Sequence, residues 1–334
     1  MNLGPYSPNT YVVGDCRELL RALPDESINC VVTSPPYYGL RSYLDKNNPA
    51  KRLELGQERT PERYVTTLVE VFREVRRVLR SDGTVWLNLA DTFCSNGGHS
   101  DTKCNDRRGR YNIGNVPEHE YREFRCKPGG LFKAKDLMLL PARVSIALHA
   151  DGWWVRSKII WHKPNPMVSS TKDRPTCSYE ELLLLSRSER YYYDADAIRE
   201  PCVMKPQRLP NGRARDETPR PGQPRQAWST AARETLGIDG NPLGRNKRDV
   251  WTIVPEQSGE EHYAMFPRKL VEPCILAGCP AGGICLDPFA GSGTVGRVAE
   301  DLGRQWLLFD LSAKYAEIAK RKTAQTGILG MLRT

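Results

Sequence analysis

Apolar and polar positions follow two rhythms along the chain, one of period two and one near 3.6, and together they order it into alternating strands and helices. "TYVVGD" (10–15) predicts a short strand, Cys16 to Ala22 a helical turn region, and "INCVVTS" (28–34) a second, β-branched strand. "PERYVTTLVEVFREVRRVL" begins with Pro61, whose missing N–H is harmless at a helix start, and places Tyr64, Leu68, Val71, Phe72, Val75, Val78 and Leu79 on one face. The strand "GTVWLNLA" (83–90) follows at once, so this is a crossover unit of the parallel-sheet kind. Further on come a helix near 136–150, then strands at "WWVRSKIIW" (153–161), "ELLLLSR" (181–187) and "RYYYD" (190–194), the last two as a hairpin or sheet edge. From Met265 to Lys322 the α/β rhythm returns, with helix "PRKLVEPCILAG", strand "GICLDPFAG", helix 294–303, strand "QWLLFDLS" and helix 312–324.

Two stretches break the rhythm. Residues 94–130 are rich in Gly, Asn and Arg and read as a loop insertion. Residues 201–224 hold six prolines, and 201–250 carries ten basic against five acidic residues, as expected of an arm lying along phosphates or of a solvated linker. The expected fold is α/β: one twisted, mostly parallel Rossmann-like sheet assembled from both ends of the chain. Residues 1–194 and 261–334 then form one domain, and 195–260 projects from it.

Composition narrows the class. The 334 residues fit a single large α/β unit with insertions. Net charge is +9 with a pI about 9.0, which suits a polyanionic partner without establishing one. Ten scattered cysteines and a start without a basic-then-apolar leader point to a reduced, cytoplasmic protein. No apolar run approaches the ~20 residues of a membrane-spanning helix, so no membrane partner is expected.

"LDPFAGSGTVG" carries the first chemistry. Gly291, Gly293 and Gly296 leave a strand and enter a helix, where backbone must approach a ligand closely, and Asp310 ends the next strand, where a carboxylate can bind ribose hydroxyls. The G-x-G-x-x-G spacing keeps a nicotinamide dehydrogenase in view. A phosphate-binding P-loop fits poorly, because Arg297 and Val298 stand where Lys and Ser or Thr are needed. Asp287 at the strand's end repels a pyrophosphate and attracts an ammonium group, which favours S-adenosyl-L-methionine.

With "TSPPYY" at 33–38 and "DPFAGSGT" at 287–294, the chain resembles the amino-methyltransferases of DNA. That family bears an S/D/N-P-P-Y/F catalytic loop and an F-x-G-x-G cofactor loop. "DGWWVRSKIIWHKPNPM", "RPTCSYEELLLLSRSERYYYDADAIREP" and "HYAMFPRKLVEPCILAG" also resemble it, so the likeness spans nearly the whole chain. The catalytic motif precedes the cofactor motif, the permuted order called class β.

The resemblance implies Ser34, Pro35, Pro36 and Tyr37 as the catalytic clamp. An exocyclic amine is a poor nucleophile hidden in the duplex, so the base must first be flipped out. Tyr37 can then stack on it, while Ser34 and the Pro35 carbonyl accept the amine hydrogens and turn the nitrogen lone pair toward the methyl sulfonium. For the cofactor it implies Asp15 near the adenine, Phe289, Gly291, Gly293 and Thr294 in the glycine loop, Asp310 at the ribose, and Phe266 and Pro267 at the methionine end. Ser before Pro-Pro points to cytosine N4. Adenine N6 is the runner-up, ahead of RNA or a protein glutamine, and a catalytically silent DNA-binding protein is the reading from another class.

The expected partner is double-stranded DNA, with a cognate restriction endonuclease as a second, and the chain is a monomer or homodimer associated with the nucleoid. Tyr38 and Arg41 beside the clamp, and Arg213, Arg215, Arg245 and Lys247 in the basic region, are the expected nucleic-acid contacts. Cys94, His99, Cys104 and Cys126 fit no compact zinc spacing and are read as free of metal. Trp153, Trp154 and Trp161 are read as core, and His162 and Lys163 stay outside the catalytic set.

Overall fold

The computed structural model describes residues 2–40, 42–45, 47–94, 132–166, 169, 171–201, 244–256 and 266–321. Eight strands form one sheet: β1 (Thr10–Val13), β2 (Ile28–Thr33), β3 (Leu79–Leu89), β4 (Trp154–His162), β5 (Tyr179–Ser186), β6 (Val250–Thr252), β7 (Ile284–Asp287) and β8 (Gln305–Asp310). Their order is β1-β8-β7-β2-β3-β5-β4-β6, and β5 alone runs antiparallel to its neighbours. Because Cys30 and Val31 of β2 pair with Cys285 and Leu286 of β7, the two ends of the chain share the sheet's centre, as the crossover patterns predict.

Helices cover both faces. On one lie α1 (Cys16–Arg21), α2 (Pro61–Val78) and α3 (Leu140–Ala150), and on the other α4 (Arg268–Gly278) and α5 (Thr294–Asp301). Consecutive strand residues alternate between the two cores. Val31, Leu183 and Leu185 pack with Leu68, Phe72 and Val75 of α2, whereas Val32, Leu182 and Leu184 pack on the side of Val271, Cys274 and Ile275 of α4. This is why "LLLL" in β5 is apolar without interruption: a strand covered on both faces has no polar side to show.

Helix starts follow local chemistry. Thr60 caps α2 by accepting from the Arg63 amide at 3.2 Å with Pro61 next in line, and Asp15 caps α1 through the Arg17 amide at 3.0 Å. A last helix, α6, covers 313–321 among the described residues.

Three expectations change. β5 is an interior strand between β3 and β4 rather than half of an edge hairpin, and "RYYYD" joins no ladder. Its amides go elsewhere, Tyr192 N to Asp82 O at 2.8 Å and Asp194 N to Ala277 O at 2.9 Å. Strand β3 starts at Leu79, directly off α2, four residues before the expected Gly83. Of the tryptophans, Trp153 and Trp161 are core, but Trp154 is exposed. Within 195–260, β6 pairs with β4 at the sheet edge; 202–243 and 257–265 lie outside the described residues, as do 95–131.

Candidate active site

A cleft opens past the carboxyl ends of β1, β2, β7 and β8, where parallel strands leave room for a ligand. Its wall includes Asp15, the whole run Ser34 to Tyr37, the glycine loop from Asp287 to Ser292, Thr294, Asp310, Tyr315 and Phe266. Pro267 and Gly293, expected at the cofactor, stand behind this wall rather than on it. Pro267 is buried at the N-cap of α4, and Gly293 is the N-cap of α5.

The glycine-loop side is held by backbone bonds to two carboxylates. Asp287, nearly fully buried, accepts from Thr33 Oγ1 of the neighbouring strand at 2.6 Å and from Phe289 N at 3.0 Å. Burial, with Asp310 nearby, pushes its pKa up to about 7 despite those bonds. Asp310 accepts from Gly291 N and Ser312 N, both at 2.8 Å, and burial raises it to about 6. Tyr11 donates to Gly291 O at 2.8 Å. Gly291 sits at φ +50, and a Cβ there would meet nothing within 4 Å, so the left-handed turn presents bare backbone to open space. Gly293 is left-handed too, at φ +79, and a Cβ there would lie 3.0 Å from Ala319 of α6. Asp15 gives both oxygens to Arg17, at 2.7 Å for the shortest contact, besides capping α1.

The opposite side is built from side chains. Pro36 O accepts from the buried Tyr64 hydroxyl of α2 at 2.9 Å, which pins the proline loop. Ser34 Oγ donates to the Tyr37 hydroxyl at 3.2 Å, and that hydroxyl donates to Glu180 Oε2 at 2.7 Å. Asn88 Nδ2 lies 2.7 Å from both Tyr37 Oη and Glu180 Oε2, and the Lys163 ammonium pairs with Glu180 Oε1. Burial and then Glu180 raise the Tyr37 pKa, so its proton stays on. None of Tyr64, Asn88, Lys163 and Glu180 was expected in the site. The available signals were an Asn inside the apolar run "TVWLNL" and two Glu ahead of "LLLL".

Over the cleft, Tyr43 faces Tyr315 of α6 with ring centroids 6.2 Å apart, and buried Glu54 accepts from the Tyr43 and Leu44 amides and from Lys51.

The expected nucleic-acid residues divide. Tyr38 turns into the core, 4% exposed, and packs on Tyr64 at 5.6 Å, so its ring does not face a duplex. Arg41, Arg213 and Arg215 lie outside the described residues. Arg245 and Lys247 approach Glu200 at 3.4 and 3.9 Å, and Arg248 reaches it at 3.0 Å. Burial works to raise Glu200, but Arg248 and Lys247 hold it below its ordinary value. Cys94 is buried, and His99, Cys104 and Cys126 lie outside the described residues. Among the described residues no cluster of His, Cys, Asp and Glu could hold a metal ion, and no helix is long and apolar enough to cross a membrane.

The family model described as "DNA methylase" matches residues 28–321. The chain belongs to the DNA methylase family. The Type II methyltransferase M.SmaI of Serratia marcescens is 37% identical over 311 residues, covering 93% of this chain and 89% of that protein. M.Cfr9I of Citrobacter freundii, also a Type II methyltransferase, is 37% identical over 93% of this chain and 86% of its own. Among solved structures, the PvuII DNA methyltransferase (cytosine-N4-specific) superposes with a TM-score of 0.58 at 18% identity, over 94% of this chain and 86% of that one. A putative DNA modification methylase of Thermus thermophilus, complexed with S-adenosyl-L-methionine, superposes at 0.52 with 22% identity, over 94% and 93%. These likenesses agree with the Rossmann-like sheet of this DNA methyltransferase.

The residues present fit that cofactor. A half-buried, left-handed Gly291 with open space beside its Cα, the Asp310 carboxylate next to it and the aromatic Phe289 line a single cleft with Asp287. A nucleoside with a cationic amino-acid tail matches this donor and charge set.

Proposed function

We propose that this DNA methyltransferase moves the methyl group of S-adenosyl-L-methionine to the N4 amine of a flipped cytosine within a specific duplex sequence. The observation that carries the reading is Ser34: a neutral hydroxyl, not a carboxylate, stands at the head of the proline clamp and on the cleft wall shared with the glycine loop. The cofactor, when bound, supplies a methyl group on a sulfonium. The chain's own residues do the rest. Gly291, Asp310 and Phe289 hold the nucleoside end, while Ser34 and the Pro35 carbonyl receive the two amine hydrogens, favouring a pyramidal nitrogen. Pro35 offers no competing N–H. The methylated amine is acidic and releases its proton after transfer, so no general base is required for the transfer itself.

Sequence reading falls to the basic region 195–260, through Arg245 and Lys247 among others, with the insertion 94–130 as a second contributor. The Type II names of the relatives extend the reading to a chain that shields its site from a partner endonuclease.

The test is to incubate the protein with plasmid DNA and labelled S-adenosyl-L-methionine and to identify the methylated nucleoside by mass spectrometry. N4-methylcytosine is the expected product. N6-methyladenine overturns the base assignment, and label on neither base overturns the duplex-DNA substrate.

A further inference from the structure

The clamp's serine has a problem that its charge cannot solve. A hydroxyl is both donor and acceptor, and it serves a substrate amine only if its own proton points elsewhere. In this fold something takes that proton. Ser34 Oγ donates to Tyr37 Oη at 3.2 Å, Tyr37 donates to Glu180 Oε2 at 2.7 Å, and Glu180 is held from its other oxygen by Lys163.

Asn88 supports this direction. Its Nδ2 lies within 2.7 Å of both Tyr37 Oη and Glu180 Oε2 and 3.4 Å from Ser34 Oγ, while its Oδ1 is buried without a partner. The reverse orientation would set the amide oxygen against the Glu180 carboxylate, acceptor to acceptor. Asn88 Nδ2 donates to Tyr37, and the Glu180 carboxylate can only accept, so the phenol gives its proton to Glu180 and offers a lone pair to Ser34.

We infer that Glu180 is a positioning residue which, acting through Tyr37, commits the Ser34 hydroxyl to accepting from the target amine. Each bond in such a chain polarises the next, so a full negative charge on β5 strengthens a neutral acceptor two hydrogen bonds away. Burial and Glu180 together keep the Tyr37 proton in place for this task. No atom is transferred in this step; only the direction of two hydroxyl protons is chosen. The inference rests on the proposal that an exocyclic amine docks at Ser34, and it holds whichever base carries the amine.

The decisive variant is Glu180→Gln. Its amide can donate to Tyr37, which turns the phenol proton toward Ser34 and occupies the lone pair that the amine needs. Methyl transfer to DNA is measured as total label, with the nucleoside identified separately, so that failure of the cytosine assignment shows in the product and failure of this inference in the kinetics. Expected is a kcat about tenfold lower, with KM for DNA and calorimetric affinity for S-adenosyl-L-methionine within about twofold of the original chain. Tyr37→Phe cuts the chain by itself, so adding Glu180→Gln to it lowers kcat no further. Independent, multiplying losses overturn the inference, as does an effect of Glu180→Gln carried by KM. Should Glu180→Gln not fold alone, Lys163→Met with Glu180→Gln removes both charges, and the same comparison on the Tyr37→Phe background decides it.

Discussion

The two walls of the cleft are made differently. The wall after β7 and β8 is backbone held by carboxylates: Asp287 and Asp310 accept from amides at most two residues beyond them, from Gly291, and from Thr33 on the adjoining strand. The wall after β2 is side chain on side chain, joining Ser34 and Tyr37 to Asn88 of β3, Glu180 of β5 and Lys163 just past β4. A backbone-built wall suits a cofactor that is the same at every turnover, whereas a relay of rotatable hydroxyls suits a base that must enter and leave. The difference also explains the serine. In the proposed relay the clamp carries no charge of its own, and Glu180 polarises it through Tyr37 from another strand.

Substitutions on each wall should therefore separate cofactor affinity from turnover. The largest effect is expected from Ser34→Ala, which leaves the target amine without its acceptor. By analogy with losing one preorganised transition-state partner, kcat falls about 100-fold or more, while calorimetry finds cofactor affinity unchanged. An equal loss of cofactor affinity would erase the division between the walls.

On the other wall, Asp310→Ala removes the acceptor of the Gly291 and Ser312 amides and the carboxylate offered to the ribose. Hydrogen bonds to a charged group are worth roughly 1.5–3 kcal/mol, so the dissociation constant for S-adenosyl-L-methionine rises about 10- to 100-fold. Saturating cofactor should restore most of kcat. If it does not, Asp310 also serves the transfer step.

A third test uses pH. In the fold Asp287 titrates at about 7 against about 3.9 in an unfolded chain, so between those values the native state holds a proton that the unfolded state has lost. A raised pKa contributes stability that is complete below the unfolded value and vanishes as pH rises through about 7. Melting temperature therefore falls from pH 5 to pH 8, and Asp287→Asn, which still accepts from Thr33 and Phe289, reduces that fall by roughly a few degrees. Cofactor affinity in the original chain moves the other way, rising with pH as the carboxylate gains charge for a cationic tail. Parallel melting curves for the two proteins would break the assignment.

The smallest effect belongs to Asp15→Ala. Losing the cap of α1 costs about 1 kcal/mol by chemical denaturation, with only a small change in turnover, because Arg17 already engages both oxygens of Asp15.

Much of the cleft could be read from sequence because its signals are local. Asp287, Phe289, Gly291, Thr294 and Asp310 fall within two strand-turn units, and the clamp's four residues are consecutive. Tyr38 misled because an aromatic beside a clamp has the same local signature whether it turns to a ligand or to Tyr64. "RYYYD" misled because a run of aromatic residues suits an extended segment with or without a ladder, and a ladder needs a free neighbouring edge, which β5 does not have.

Determined by the sequence itself are the alternation of strands and helices, the permuted order of the two motifs and the glycine loop's conformation, all of which depend on neighbours a few residues apart. Only the tertiary structure brought Glu180 and Asn88 to Tyr37, and Lys163 to Glu180. Those contacts span 17 to 143 residues of chain. They exist because β5 inserts antiparallel between β3 and β4, a pairing that apolar strands on either side would each accept and that only packing of the whole sheet decides.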